Sequence, residues 1–400
     1  MADGTERIER IGEALRVEGL DALVCVLPTD VLMLSGYWPV VGTSVGVATR
    51  DGRVGVLAPE DERDLAEGGW ATEVRTYAAG ALTSLEGPVE RMPGPLGALL
   101  VELGVAAGRI GYEDAVIFEQ ASYSATYRVL PNVASILGTA APTTSVVSGA
   151  GAIRRLRSRL TPYEVDQVAH ACQAAGAAFT AASAGMRAGL REPDVAGGVT
   201  ARLEARGLAE PGAVRAGGFA WCMSGPNAAL AGAAYARTRN RELRAGDVVL
   251  VHCNAQMNGY WTDITRTYSL GEPDKQRREM FEAMLAARAA ALAAIRPGAA
   301  AADVDAAARA VLTARGYGAA FTHGVGHNVG FSAISAEFPP RLRPDSPDRL
   351  EVGMTFNIEP AIYLEGNCGM RHCDVVTLRE TGPEVLTPFQ ARLDELIIGG

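Results

Sequence analysis

Residues 248–267 read Val248-Val249-Leu250-Val251-His252-Cys253-Asn254-Ala255-Gln256-Met257-Asn258-Gly259-Tyr260-Trp261-Thr262-Asp263-Ile264-Thr265-Arg266-Thr267. Two strand-like runs flank Asn258-Gly259, a dipeptide that readily supplies the positive-φ positions of a tight hairpin turn. With those two residues as the turn, Met257 pairs with Tyr260 and Asn254 with Asp263. His252 then becomes the diagonal neighbour of Asp263 on one sheet face. The apolar flanks predict burial of this polar cluster, and buried polar groups need partners. The competing reading is a solvated sheet face that carries a chance histidine.

Three further segments carry chemistry towards the C-terminus. Thr322-His323-Gly324-Val325-Gly326-His327-Asn328-Val329-Gly330 places two histidines four apart among glycines, which allow close backbone approach. Phe356-Asn357-Ile358-Glu359-Pro360 sets a carboxylate among apolar strand residues, where a metal or other cation is the natural partner. Met370-Arg371-His372-Cys373-Asp374-Val375-Val376-Thr377-Leu378 reads as one strand. Its alternation puts Arg371, Cys373 and Val375 on one face and His372 and Asp374 on the other.

Towards the N-terminus, Ile8, Ile11 and Leu15 mark a helix over Glu6–Glu18, closed by Gly19. Residues 21–27 read as a strand, and Val45 to Ala58 as two strands about Asp51-Gly52. This α/β segment runs to about Ser148, and Gly149-Ala150-Gly151 predicts a boundary ahead of Arg154, Arg155, Arg157 and Arg159, read as a solvated linker. Thr161-Pro162-Tyr163-Glu164 is a helix start with a capping box. His170 borders that helix's apolar stripe and is read as structural. Helices are expected over Lys275–Ile295 and Asp303–Arg315.

The bulk numbers bound the function. A chain of 400 residues fits two domains, and 48% hydrophobic with 21% charged residues suits globular packing. A formal charge of −9 without a Lys/Arg run argues against nucleic acid. No window reaches the roughly 18 apolar residues of a membrane span, and Met1-Ala2-Asp3-Gly4 does not open a signal peptide, so a cytoplasmic location is expected. Six scattered cysteines suit reduced thiols. Four of the five histidines, His252, His323, His327 and His372, lie in the segments quoted above.

Taken in order, these motifs closely resemble the pita-bread family of creatinase, prolidase and aminopeptidase P. They are Gly259-Tyr260-x-x-Asp263-Ile264-Thr265-Arg266-Thr267, His323-Gly324-x-Gly326-His327, Ile358-Glu359-Pro360-x-Ile362-Tyr363 and Arg371-x-x-Asp374. Leu20-Asp21-Ala22-Leu23 with Leu34-Ser35-Gly36-Tyr37 is similar to the creatinase-type N-terminal domain. The resemblance implies an α/β (α+β) chain. A creatinase-like N-terminal domain would occupy 1–150 and a pita-bread catalytic domain 151–400. It further implies a homodimer with a small-molecule or short-peptide substrate.

The family's peptidases hold two divalent ions with five ligands, Asp, Asp, His, Glu and Glu. By resemblance Asp263, His327 and Glu359 fall on the second, third and fourth. His252 stands at the first and Cys373 at the last. Two assisting histidines are missing: none lies between Asn227 and Tyr235, and Ser335-Ala336 precedes Glu337. His323, Tyr235, Glu337 and Arg371 are the candidate catalytic residues, with ordinary Xaa-Pro cleavage in doubt. The expected metal set is His252, Asp263, His327, Glu359 and Cys373. Imidazole and thiolate here favour zinc or iron over manganese, and one fewer negative charge favours one ion over two. Cys373 is either a ligand or a small core hydrophobe. The expected function is a metal-dependent hydrolase or lyase acting on a small amino-acid-like substrate. A metal-free creatinase-like hydrolase, an Xaa-Pro peptidase and a non-catalytic binding protein are the alternatives.

Overall fold

Asn258 and Gly259 adopt φ of 51° and 88°, the left-handed pair that a two-residue hairpin turn requires. Met257 stands opposite Tyr260, and the same register continues to Cys253 opposite Ile264 and His252 opposite Thr265. The ladder lapses at Thr262 and Asp263. There Asn254 Nδ2 donates to the Thr262 carbonyl at 3.1 Å, and Thr262 Oγ1 accepts from the Ala255 N–H at 3.1 Å.

The computed structural model describes residues 4–114, 132–234, 237–335 and 337–399. It divides into two compact units, Met1–Arg157 and Ser158–Gly400. In the first, α1 (Thr5–Glu18) ends at Gly19 with φ 64° and leads to β1 (Ala22–Cys25) and α2 (Pro28–Ser35). Strands β2 (Val45–Thr49), β3 (Val54–Pro59), β4 (Glu73–Tyr77), β5 (Arg109–Tyr112) and β6 (Ser145–Ser148) complete a sheet of order β4-β3-β2-β1-β5-β6. Val24, Val47, Leu57 and Ile110 of this sheet share a core with Leu96, Leu99 and Leu100 of α3 (Pro93–Glu102). The i, i+3, i+4 spacing of those leucines gives the helix its inward stripe, each worth about 1.5–3 kcal/mol of burial.

The basic stretch departs from its reading as a solvated linker. It lies on α4 (Ala150–Ser158), which crosses the expected boundary, and the division falls after Arg157. Helical period puts Arg157 four residues after buried Ile153, on the inward stripe. Its Nε donates to Asp30 Oδ1 at 2.6 Å, with both side chains buried, while Arg154 and Arg155 are exposed. Beside this pair Glu113 accepts the Val26 and Leu27 N–H groups. Burial and the Asp30 charge push its carboxyl well up.

In the second unit, Thr161 caps α5 (Pro162–Gly185): its N–H donates to Glu164 Oε2 at 2.7 Å, and its Oγ1 accepts the Glu164 N–H. Helices α5 and α6 (Glu192–Gly207) pack on β7 (Ala216–Ser224) and β8 (Val248–Met257). β8 also pairs with β9 (Tyr260–Trp261) and β10 (Ile264–Leu270). After the paired helices α7 (Lys275–Ala294) and α8 (Ala301–Ala314), β11 (Thr355–Ile358) joins β14 (Asp374–Arg379) and β15 (Gly382–Val385) in a second sheet. β12 (Ala361–Leu364) and β13 (Cys368–Arg371) form a separate hairpin.

The segment 370–378 is therefore two strands and not the single one expected. The chain leaves the hairpin after Arg371 because His372 N–H turns to the Pro360 carbonyl, and Cys373 exchanges backbone hydrogen bonds with Thr265 at 3.0 and 3.3 Å. Arg266 secures that junction. It donates to Asp374 Oδ1 and to the carbonyls of Cys373 and Thr387, each at 2.8 Å, and lies 4.4 Å over the Phe389 ring. Asp374 also accepts from Arg288 and from Thr387 Oγ1. Burial alone would raise its carboxyl, but Arg266 and His372 hold it far below the ordinary range. Arg266→Met leaves the buried Asp374 carboxylate with Arg288 as its remaining cationic partner and is expected to cost about 3 kcal/mol in urea unfolding. The apolar pair Arg266→Met with Asp374→Leu should cost less than the single change; equal losses would show that stranded charge is not the cause.

Candidate metal centre

Asp263 emerges from the lapse between β9 and β10, His327 from the glycine-rich loop after α8, and Glu359 from the end of β11. One donor atom from each lies within 4.8 Å of the others, and Asp263 and Glu359 are buried. His327 Nε2 is 3.4 Å from Asp263 Oδ2 and 3.7 Å from Glu359 Oε1. Its Nδ1 lies 3.0 Å from the Asn328 carbonyl, which fixes Nδ1 as the protonated nitrogen and turns Nε2 towards the carboxylates. Burial opposes a second proton on this ring, but Asp263 and Glu359 outweigh it and raise its pKa. Burial would also raise Asp263, yet His252, His327 and Arg371 bring it down to about 2. Two carboxylates and one imidazole converging in a buried pocket fit a single divalent ion, with coordination positions left for substrate or water.

The other two residues of the expected ligand set stand beside this cluster, and their donor atoms, like His327 Nε2, have hydrogen-bond partners in the protein. His252 Nδ1 is 2.9 Å from Arg371 Nη2 and 3.5 Å from Asp263 Oδ1, and its ring stacks on Trp221 at 5.2 Å. A guanidinium can only donate, so Nδ1 accepts; Nε2 then carries the proton and gives it to Asn254 Oδ1 at 3.1 Å. Desolvation drives its pKa down to about 4, against the pull of Asp263. The Cys373 Sγ donates to the Asp263 carbonyl at 3.1 Å, lies 3.5 Å from Asp263 Oδ1, and accepts from Asn357 Nδ2 at 3.5 Å. Burial first, then Asp263 and Glu359, raises its thiol well above the ordinary value. Burial thus disfavours the charged forms of both groups, the His252 imidazolium and the Cys373 thiolate.

Of the candidate catalytic residues, Arg371 and His323 join the centre. Arg371 Nε donates to Thr265 Oγ1 at 3.0 Å, and Nη1 is 3.7 Å from Glu359 Oε2. His323 Nδ1 lies 2.8 Å from the Gly324 carbonyl and its Nε2 3.1 Å from the Tyr363 hydroxyl, so Tyr363 is the donor there. Desolvation lowers His323, and burial lifts Tyr363 to about 12. Glu337 is exposed, with Arg341 and Arg343 as electrostatic neighbours, and is not gathered with the three donors. Tyr235 lies outside the described residues. His372 faces away from the cluster, 3.5 Å from Asp374.

Sequence reading passed over Asn357, which holds His327 at two points: its Oδ1 accepts the His327 N–H at 2.7 Å and its Nδ2 meets Nε2 at 3.0 Å. Strand alternation was the available signal, because it places Asn357 and Glu359 on one face. Asp305, which accepts the Val325 N–H while bound to Arg309 on its own helix, had no such signal, since Val325 comes from a separate loop.

The model of metallopeptidase family M24 matches residues 166–380, and that of the creatinase/prolidase N-terminal domain matches 7–158. The chain belongs to metallopeptidase family M24. Within this family it is similar to a probable dipeptidase, PepE, of Mycobacterium tuberculosis, with 36% identity over 231 residues, 58% of each chain. It is also similar to an Xaa-Pro dipeptidase of Pyrococcus furiosus, at 32% over 242 residues, 60% of this chain and 66% of the other. The match thus spans 58% of the length of the Mycobacterium relative. A crystal structure of the prolidase from Pyrococcus horikoshii OT3 shares the fold, with a TM-score of 0.76 and 23% identity. That match covers 97% of this chain and 100% of that one. The M24 chain described here therefore has a creatinase-like α/β unit followed by a pita-bread unit.

Two buried imidazoles set a pH dependence. His252 and His372 are each lowered by desolvation to about 4 from an ordinary 6.5. Between those values the unfolded chain takes up protons that the folded chain refuses, so stability falls as pH drops through the window. His327 is raised and opposes this in part. The urea midpoint should fall from pH 7 to 4.5, and His372→Gln, outside the ligand cluster, should recover part of that loss; an unchanged loss would assign it elsewhere.

Proposed function

We propose that this M24 chain is a metal-dependent hydrolase of a small amino-acid-like or short-peptide substrate, working with one divalent ion, either zinc, iron or manganese. The observation that carries this reading is the buried convergence of Asp263, His327 and Glu359 within 4.8 Å. An ion held by these residues would polarise a substrate carbonyl and acidify a bound water. The chain's own groups do the rest. The Asn328 carbonyl and the Asn357 amide orient His327, and Arg371 supplies fixed positive charge beside Glu359. Tyr363 keeps its proton to about pH 12 and points it at His323, so this pair can hold a proton at the edge of the centre.

Relatives named dipeptidase and Xaa-Pro dipeptidase support a peptide-like substrate. The absence of histidine between Asn227 and Tyr235 argues against efficient Xaa-Pro cleavage. A second reading, a metal-free hydrolase like creatinase, is favoured by the Arg371 guanidinium, which compensates Glu359 without an ion. We further propose a homodimer in the cytoplasm. The six free, buried cysteines suit a reducing compartment, and the dimer rests on the family resemblance. Among the described residues no helix is long and apolar enough to cross a membrane.

Elemental analysis of protein grown with zinc, iron and manganese is expected to find about one ion per chain. Asp263→Ala and His327→Ala should each remove the ion and the activity. Cys373→Ser should keep the ion with little loss of affinity, because the thiol is turned to the Asp263 carbonyl. Full activity in chelator would move the assignment to the metal-free reading. Xaa-Pro dipeptides are expected to turn over well below about 10 s⁻¹, the median for enzymes. A kcat near that value would overturn the substrate argument.

A further inference from the structure

Strand β7 separates large residues from small ones. Phe219 and Trp221 point to one face and are partly exposed, while Ala220 and Cys222, on the other face, are buried. Register fixes what the two rings stand beside: Trp221 lies directly opposite His252 on β8, and Phe219 opposite Asn254. On its other side β8 pairs with β9, where Trp261 lies opposite Gln256 on that same face and is also partly exposed.

The three rings close over β8 as one shelf. Trp261 stacks on Phe219 with centroids 6.1 Å and planes 12° apart, Phe219 on Trp221 at 6.4 Å and 24°, and Trp221 on His252 at 5.2 Å and 19°. The shelf thus starts at a residue 3.5 Å from Asp263 Oδ1 and runs outward from the acidic cluster. The next position of β7 on this face is Gly217, where an added Cβ would meet, among the described residues, only Gln256 Nε2, at 3.6 Å. Aromatic walls with a few converging polar groups are how proteins hold small ligands, and rings left partly in water have apolar area still to bury. With an ion bound, Arg371 and the dication outweigh the Asp263 and Glu359 carboxylates, which repels a cationic group. A neutral aromatic ring gains both apolar burial and ring-on-ring contact, whereas an aliphatic chain gains only the first.

We propose that Phe219, Trp221 and Trp261 are specificity-determining residues that receive an aromatic side chain of the substrate, so that phenylalanine-like and tryptophan-like amino-acid derivatives are the preferred class. This rests on the reading of Asp263, His327 and Glu359 as the centre of a hydrolase, and it names the substrate of that same site.

The test uses the full chain loaded with zinc and labelled with 5-fluorotryptophan, so that Trp38, Trp70, Trp221 and Trp261 report by ¹⁹F NMR, with Trp221→Phe and Trp261→Phe assigning two of the signals. L-phenylalanine is expected to shift the Trp221 and Trp261 signals and to leave those of Trp38 and Trp70 in place, while L-alanine at the same concentration moves none. Among the dipeptides Phe-Ala, Ala-Phe, Leu-Ala and Ala-Ala, tried with zinc, iron and manganese, one that contains phenylalanine should exceed Ala-Ala in kcat/KM at least about tenfold and should also exceed Leu-Ala. Trp221→Ala should lower the preference over Ala-Ala at least about fivefold and Trp221→Phe should keep most of it, whereas a tryptophan that only supports the fold would lower both rates in proportion. If Trp221→Ala does not fold, Gly217→Val, whose Cβ has room, should lower the same preference by narrowing the shelf. Unmoved Trp221 and Trp261 signals while Ala-Ala is hydrolysed, or a proportional loss in the variant, overturn the inference and leave the hydrolase reading standing. Shifts that follow protein concentration and not phenylalanine would make the shelf a contact between copies of the chain, and overturn it too. Selective shifts without hydrolysis of any dipeptide would keep the shelf and overturn the hydrolase reading, and neither shift nor hydrolysis would overturn both.

Discussion

The buried ion pair between Arg266 and Asp374 is the constraint on which the second unit depends. Arg266 belongs to the sheet of β7, β8 and β10, and Asp374 begins β14 of the other sheet. Both side chains are fully buried, so Arg266 relies on Asp374 for its countercharge and Asp374 on Arg266 and Arg288, and the remaining guanidinium donors of Arg266 go to carbonyls of the same junction. Next to the pair in sequence are Thr265 and Cys373, joined by backbone hydrogen bonds. One residue before Thr265 and Cys373 in turn come Ile264 and His372, and two before them come Asp263 and Arg371. The electrostatic requirement of the pair therefore sets the register between two sheets, and that register delivers the site's central carboxylate and its guanidinium to one place.

What is delivered is an unusual charge distribution. Asp263 and Glu359 are acidic residues, Arg371 is permanently basic, and burial disfavours the charged forms of His252 and Cys373. Arg371 stays charged in spite of its burial because the Glu359 and Asp263 carboxylates offset the desolvation. The carboxylates are thus half compensated by protein before any ligand arrives. With one carboxylate left uncompensated, a single dication already takes the site to a net positive charge and a second would add twice as much again, which is why the same arrangement bears on both the proposed ion dependence and the alternative without metal. The Asn357 side-chain amide and the Asn328 backbone carbonyl then orient His327 without adding charge.

The N-terminal unit shows the same principle away from any proposed chemistry. Arg157 is buried against Asp30, and Glu113 sits beside them bonded to the Val26 and Leu27 amides, its carboxyl pushed up by burial and by the Asp30 charge. In a list of four arginines over six positions the one that matters is indistinguishable by type. Only its spacing from Ile153 and Leu156 puts it on the inward stripe of α4, and only the fold supplies Asp30, 127 residues away, as its partner.

By itself the sequence determined what depends on neighbours close along the chain. The hairpin about Asn258-Gly259, the capping box at Thr161, the stop at Gly19 and the opposite faces of Cys373 and His372 follow from turn chemistry, caps and strand alternation. Each is local, and each is read within a few residues. The order of motifs likewise sufficed for the family. The tertiary structure alone decided where donor atoms point. That His252 gives its lone pair to Arg371, that Cys373 turns to a backbone carbonyl, and that the strand breaks after Arg371 depend on partners 104 to 119 residues distant. Residue type lists which atoms can bind an ion, but hydrogen bonds made across the fold settle which of them are already occupied.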